Sequence, residues 1–199
     1  MKSEMQIMDS VIVFRPDVLC DNKGYFVETY CWSTFQELGT EARFVYERCC
    51  HSRKGVVRGL YLPLLCDTWT LARAVTGSAF LVVVDLRRDS KTLGKWKGIE
   101  ISVENRRHVW IPGSFAHGFC GLSNAEIVCS FTANDSLHRQ MIRWDDPNIG
   151  IIWPENHLSD EGQGCDSQTL EEWLRKTQEG RNQGDSRRPE AWVDEFSMY

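Results

Sequence analysis

From residue 79 the chain reads Ala79-Phe-Leu-Val-Val-Val-Asp85, then Ile99-Glu-Ile-Ser-Val103, then His108-Val-Trp-Ile111. Each run is short and rich in branched and aromatic residues, the side chains that pack well on a pleated surface. Turn chemistry separates the runs, in Thr76-Gly-Ser78 before the first and Pro112-Gly-Ser114 after the last. Parallel strands need crossover connections of a dozen or more residues, usually helical. Helical periodicity is missing between these runs, so they predict antiparallel pairing in a sandwich or barrel. Working outward, Ser10-Val-Ile-Val-Phe14, Tyr25-Phe-Val-Glu-Thr29 and Ile127-Val-Cys-Ser-Phe131 read as further strands, with Asp21-Asn-Lys-Gly24 as a turn. Ahead of the C-terminal region, helix is expected only from Ser33 to Leu38, stopped by Gly39, and as a turn near Pro147.

A chain of 199 residues carries one ordinary domain with room for a substantial core. Its formal charge of −5 lacks the basic footprint of nucleic-acid binding. No apolar run approaches the roughly 20 residues of a membrane span, and the first ten residues lack the apolar core of a signal peptide. Of the eight cysteines, Cys49 and Cys50 are adjacent and the others show no C-x-x-C spacing. We read them as reduced thiols of a cytoplasmic protein without a structural zinc site.

Composition changes after Pro154, which divides the chain into a β domain over 1–160 and a tail over 161–199. Asp166 to Lys176 carries Leu170, Trp173 and Leu174 at helical spacing, with acids ahead of bases as the helix dipole prefers. Gln178 to Pro189 is polar and reads as a mobile linker. It leads to Ala191-Trp-Val-Asp-Glu-Phe196, an aromatic tag.

Read in order, four segments resemble the dTDP-4-dehydrorhamnose 3,5-epimerase family. They are Asp21-Asn-Lys-Gly-Tyr-Phe-Val-Glu28, Val57-Arg-Gly-Leu60, Val84 to Trp96, and Ile111-Pro-Gly-Ser-Phe-Ala-His-Gly-Phe119 with the later Trp144 to Pro154. The resemblance runs from about residue 9 to 160. It implies a cupin-type antiparallel jelly roll, a homodimer, and a metal-free pocket inside the barrel that needs no cofactor.

The resemblance also shows where this chain departs from the family pattern. The family removes a proton next to a sugar carbonyl and returns it on the other face, with the histidine of Arg-Gly-Leu-His as base. Tyr61 stands at that position. The tyrosine that serves as acid corresponds to Cys129, an active-site lysine to Thr70, and a Gln and Asn pair to Tyr46 and Arg48. The aspartate that supports the base corresponds to Gly162, with Asp160 two residues earlier. Phe26, Glu28, Arg58, Asp85 and His117 match family positions that hold the nucleotide or line the pocket, while Lys23 replaces an arginine.

A phenol titrates near 10 and an imidazole near 6.5, so exchanging one for the other removes a base that works at neutral pH. On this ground the sequence predicts a repurposed epimerase scaffold. Its task would be isomerisation or cyclisation of a small biosynthetic intermediate in an aromatic pocket. Tyr61, His117 and Arg58 are the expected catalytic groups. Tyr46, Arg48, Phe26, Glu28, Thr70, Asp85 and Cys129 are the expected substrate contacts, with Asp85 also a candidate partner for Arg48. A nucleotide-sugar epimerase with altered chemistry and a non-catalytic binding homologue remain the alternatives.

Overall fold

In a computed structural model the structure describes residues 2–8, 10–37, 43–63, 68–133, 139–154 and 167–182. The chain forms thirteen strands and two helices among these residues. The N-terminal part holds β1 (Lys2–Ile7), β2 (Val11–Arg15), β3 (Val18–Asp21), β4 (Gly24–Val27), α1 (Trp32–Glu37) and β5 (Tyr46–Ser52). The middle holds β6 (Val57–Pro63), β7 (Trp69–Thr76), β8 (Ser78–Asp85), β9 (Trp96–Ser102) and β10 (His108–Pro112). The remainder is β11 (Phe115–Gly121), β12 (Ala125–Phe131), β13 (Arg139–Met141) and α2 (Leu170–Asn182).

All named strand pairs are antiparallel. One sheet has the order β1-β2-β10-β7-β12-β5, the other β13-β6-β11-β8-β9, and β3 with β4 forms a separate hairpin. This is the jelly roll expected from the strand-rich middle of the sequence. Alternation along each strand sends one set of side chains between the sheets and the other outward. Between the sheets lie Val11, Val13, Ala72, Leu81, Val83, Ile101 and Val109, with Phe115 and Phe119 from β11.

Both outer faces are covered, which explains why several strands read as continuous apolar runs. On the six-stranded sheet, α1 places Phe35 fully buried against Phe14 and Trp110, at ring-centroid distances of 5.5 and 5.0 Å. On the five-stranded sheet, Trp144, Trp153, Leu170 and Trp173 cover Leu60, Leu62 and Val84. α2 starts at Leu170 because Thr169 and Glu172 form a capping box: the Glu172 amide donates to Thr169 Oγ1, and Thr169 N donates to Glu172 Oε2. The helix then continues to Asn182, through residues that the sequence assigned to a linker. Gly180 costs such a helix only about 1 kcal/mol, and no proline interrupts it before Pro189. The rest of that linker and the aromatic tag fall outside the described residues, as do Asp160 and Gly162.

Candidate active site

A cavity of about 300 Å³ is lined by residues of both sheets. The five-stranded sheet contributes Arg58, Tyr61, His117 and Phe119 to it. The six-stranded sheet contributes Arg48, Cys50, Ile127, Cys129 and Phe131 from β5 and β12.

A slip in one ladder decides which side chains meet. In a regular strand Arg58 and Tyr61, three residues apart, would point to opposite faces. Here the β6–β11 register shifts, so His117 pairs with Tyr61 while Phe119 pairs with Arg58. Both β6 side chains therefore face the cavity, and Val57, Leu60 and Leu62 face outward. Glycine permits the slip. Gly59 has φ +131°, and a Cβ there would lie 2.7 Å from Gly118 Cα. A Cβ on Gly118 would in turn lie 2.7 Å from the Arg58 carbonyl oxygen. Only a bare backbone allows this approach.

The outcome on this wall is a phenol and an imidazole side by side, with Tyr61 and His117 ring centroids 6.2 Å apart. His117 is 4 % exposed, and Tyr61 is half-buried. Beside them Arg58 holds its Nε buried, without a hydrogen-bond partner among the described residues. A buried cationic donor of this kind is costly unless something accepts from it. It suits an anion or a developing oxyanion in the cavity.

The facing wall is organised in registered rows across β5, β12 and β7. Cys129 stands between Arg48 and Ala72, and Phe131 between Tyr46 and Thr70. Arg48 occupies the exposed rim, where its Nε and Nη2 donate to the Tyr46 hydroxyl at 3.2 and 3.1 Å. The phenol oxygen thus orients the guanidinium without neutralising it. Thr70 is 1 % exposed, and its Oγ1 is buried with no hydrogen-bond partner among the described residues. Burial raises the Cys50 thiol above its ordinary range, although Arg58 and Arg48 pull in the opposite direction.

Tyr46 and Thr70 are not among the residues that line the cavity, and three further expected contacts take other places. Asp85 does not line the cavity and does not pair with Arg48. It is fully buried at the end of β8, where Arg87 in the following turn binds it in bidentate fashion at 3.0 and 2.8 Å and Ser90 and Thr92 each donate at 2.6 Å. Burial alone would raise its carboxyl; these donors outweigh that effect and bring it down to about 2. Phe26 and Glu28 are exposed on or beside the β3–β4 hairpin, and neither lines the cavity within one chain. Sequence reading, for its part, missed Cys49, Cys50, His51, Phe119, Ile127 and Phe131. The period-2 signal was available, because Cys50 continues the face of Tyr46 and Arg48, and Phe119 continues that of His117.

A second cavity of about 340 Å³ lies beneath α2 and is lined by Leu62, Arg88, Gln140 and Trp173. It is on the outward face of β6 and does not share the Tyr61, His117 and Arg58 grouping. Among the described residues no group of three or more His, Cys, Asp or Glu could hold a metal ion. No described helix is long and apolar enough to cross a membrane.

Residues 4–169 match the family model described as dTDP-4-dehydrorhamnose 3,5-epimerase. The chain is 42% identical over 156 residues to the dTDP-4-dehydrorhamnose 3,5-epimerase of Methanothermobacter thermautotrophicus, covering 77% of this chain and 84% of that one. It is 41% identical over 159 residues to the Pseudomonas aeruginosa enzyme of the same name, covering 77% and 87%. Among solved structures, the dTDP-6-deoxy-D-glucose-3,5-epimerase of Legionella pneumophila, in complex with dTDP-4-keto-L-rhamnose, superposes with a TM-score of 0.75. Its sequence is 32% identical, with 83% of this chain and 90% of that one covered. These relatives overturn the expectation of a repurposed isomerase or cyclase. Similarity at this level, across nearly the whole fold, is to epimerases, and it favours the nucleotide-sugar alternative over the leading sequence reading.

Proposed function

Because the chain belongs to the dTDP-4-dehydrorhamnose 3,5-epimerase family, we propose that it epimerises a dTDP-linked 4-keto-6-deoxy sugar at carbons flanking the carbonyl. The Legionella relative, with dTDP-4-keto-L-rhamnose bound, supports this substrate class. One observation in this chain carries the reading: Tyr61, His117 and Arg58 converge from neighbouring strands on one cavity.

The chemistry divides among these groups. A carbon next to a carbonyl gives up a proton when a base is positioned on it and the enolate oxygen finds donors. With tyrosine in place of the Arg-Gly-Leu-His histidine, the base in this chain is His117, the imidazole across the ladder from Tyr61. Tyr61 offers the hydrogen bond of its phenol to the sugar oxygen. Arg58 supplies positive charge to the enolate. Proton transfer to and from carbon is internally balanced, so this chemistry consumes no external electron donor or acceptor.

The test is direct. With dTDP-4-keto-6-deoxyglucose as substrate, proton NMR is expected to show the sugar signals of the C3- and C5-inverted product growing at the expense of the substrate. Substrate recovered unchanged after prolonged incubation with micromolar protein would rule the proposal out.

The same reading includes a homodimer. The β3–β4 hairpin exposes Leu19 at 71%, Phe26 at 70% and Tyr25 at 54%, an apolar surface of the kind that marks protein contacts. A second copy covering this hairpin accounts for it. Light scattering should give twice the mass of the chain, and a monomer at micromolar concentration would contradict the assignment.

A further inference from the structure

The cavity beneath α2 takes no part in the chemistry described above. Its volume of about 340 Å³ lies in the range of small-molecule sites, ~300–1,000 Å³. Leu62, Leu86 and Trp173 supply apolar lining. Around them the polar groups are unevenly satisfied. Arg87 is already neutralised, because its guanidinium holds Asp85 at 3.0 and 2.8 Å. Arg88 has no carboxylate partner among the described residues. Its Nη2 donates to the Leu174 carbonyl and to Thr177 Oγ1, and its guanidinium lies 5.9 Å from the Trp173 ring centroid. These contacts hold the cation at the cavity wall and leave its other nitrogens without a partner among the described residues. Gln140 is in a similar state. Its Oε1 accepts from Trp173 Nε1 at 2.7 Å, so its amide nitrogen remains as a donor. Asp89 is the one carboxylate that lines the cavity, and it is exposed.

We propose that the cavity beneath α2 binds a small carboxylate with an apolar body. The body packs against Leu62, Leu86 and Trp173, and the carboxylate takes the free donors of Arg88 and Gln140. A guanidinium and a carboxylate match in plane and in spacing. One cation without a counter-charge calls for one negative charge. Asp89 enforces that limit, because a phosphate monoester would bring about −1.5 to −2 charges close to it. The apolar half is needed too, since an exposed charge pair alone is weak in water. This site is distinct from the epimerase cavity. Leu62 lines the one and Tyr61 the other, on opposite faces of β6. A carboxylate beneath α2 would thus rest on the back of the strand that carries Tyr61 and Arg58. Its binding does not depend on the reaction those residues carry out.

Trp173 provides a local readout. Among the described residues it is the tryptophan that lines this cavity, and none lines the cavity at Tyr61. With 3-phenylpropanoate as probe, the assigned indole N–H signal of Trp173 in full-length wild-type protein should shift and saturate, with a roughly millimolar Kd for so small a ligand. Two comparisons keep the wild-type protein and change only the probe. The neutral 3-phenylpropanol should bind about tenfold more weakly or worse, for want of the charge-assisted hydrogen bonds. Phenyl phosphate should also bind more weakly than the carboxylate. Arg88→Met, its fold checked by circular dichroism, should weaken 3-phenylpropanoate by about tenfold or more. An unmoved Trp173 signal overturns the proposal, as does an alcohol that binds as well as the acid or a folded Arg88→Met variant that binds like wild type. Tighter binding of phenyl phosphate would overturn the assignment to a carboxylate.

Discussion

His117→Asn is expected to slow conversion of a dTDP-linked 4-keto sugar by about 10²- to 10⁴-fold, the contribution typical of a positioned general base. Asparagine keeps a compact polar side chain on β11 but cannot accept and carry a proton. His117 is 4 % exposed and pairs in register with Tyr61, so the substitution acts at the cavity wall. Tyr61 is a poor substitute in the role, since an ordinary phenol is a far weaker acceptor of protons at neutral pH than an imidazole. Loss of kcat with little change in KM is the expected signature, because the proton moves only in the transition state. A variant within threefold of wild type would place the base elsewhere in the cavity.

The second large effect concerns stability in acid. His108 is 4 % exposed on β10, against Phe14 and opposite Arg73. Burial, and secondarily the Arg73 charge, lowers it from 6.5 to about 4. The sign follows from which state takes the proton first. Above pH 6.5 the imidazole is neutral in both folded and unfolded chains and contributes nothing. Between 6.5 and 4 the unfolded chain binds a proton that the folded one refuses, so stability falls as pH falls. By pH 4.5 this amounts to about 2–3 kcal/mol. Asp85, held at about 2 in the fold against an ordinary 3.8, adds a separate loss as pH drops from about 4 toward 2. Urea denaturation at pH 7.5 and 4.5 should show His108→Leu losing about 2–3 kcal/mol less than wild type over that interval. Equal losses in the two proteins would mean that His108 does not control this window.

Much of this architecture was legible in the residues themselves. Branched and aromatic runs bounded by Gly, Pro and Asn turns identified β8, β9, β10 and β12 within a few residues of their ends. Spacing of two placed Tyr46 and Arg48 on one face. Ladder irregularity was not legible. Arg58 and Tyr61 share a face only because the chain slips at Gly59, and a glycine within a strand signals a possible bulge without giving its position or hand. Asp85 lies in a stretch resembling the family pattern, but whether it faces a ligand depends on the turn that follows. There Arg87, Ser90 and Thr92 use its acceptor capacity.

The functional reading failed for a related reason. It took the changes at Tyr61, Cys129 and Thr70 as loss of the family's proton chemistry, although His117 was already among the expected catalytic groups. A site is a grouping in space, and the strand beside Tyr61 carries an imidazole opposite it. No pattern along the chain expresses that neighbourhood, since residues 61 and 117 meet only when β6 and β11 pair.

The central claim is that this cavity labilises protons beside a sugar carbonyl although its Arg-Gly-Leu motif ends in tyrosine. Deuterium uptake tests it most directly. Wild-type protein, incubated with dTDP-4-keto-6-deoxyglucose in deuterated water and followed by mass spectrometry and proton NMR, should label C3 and C5 well above the protein-free rate. Protein that binds the nucleotide sugar and labels neither carbon would contradict the claim, leaving a family member that keeps the fold and the cavity without the proton chemistry.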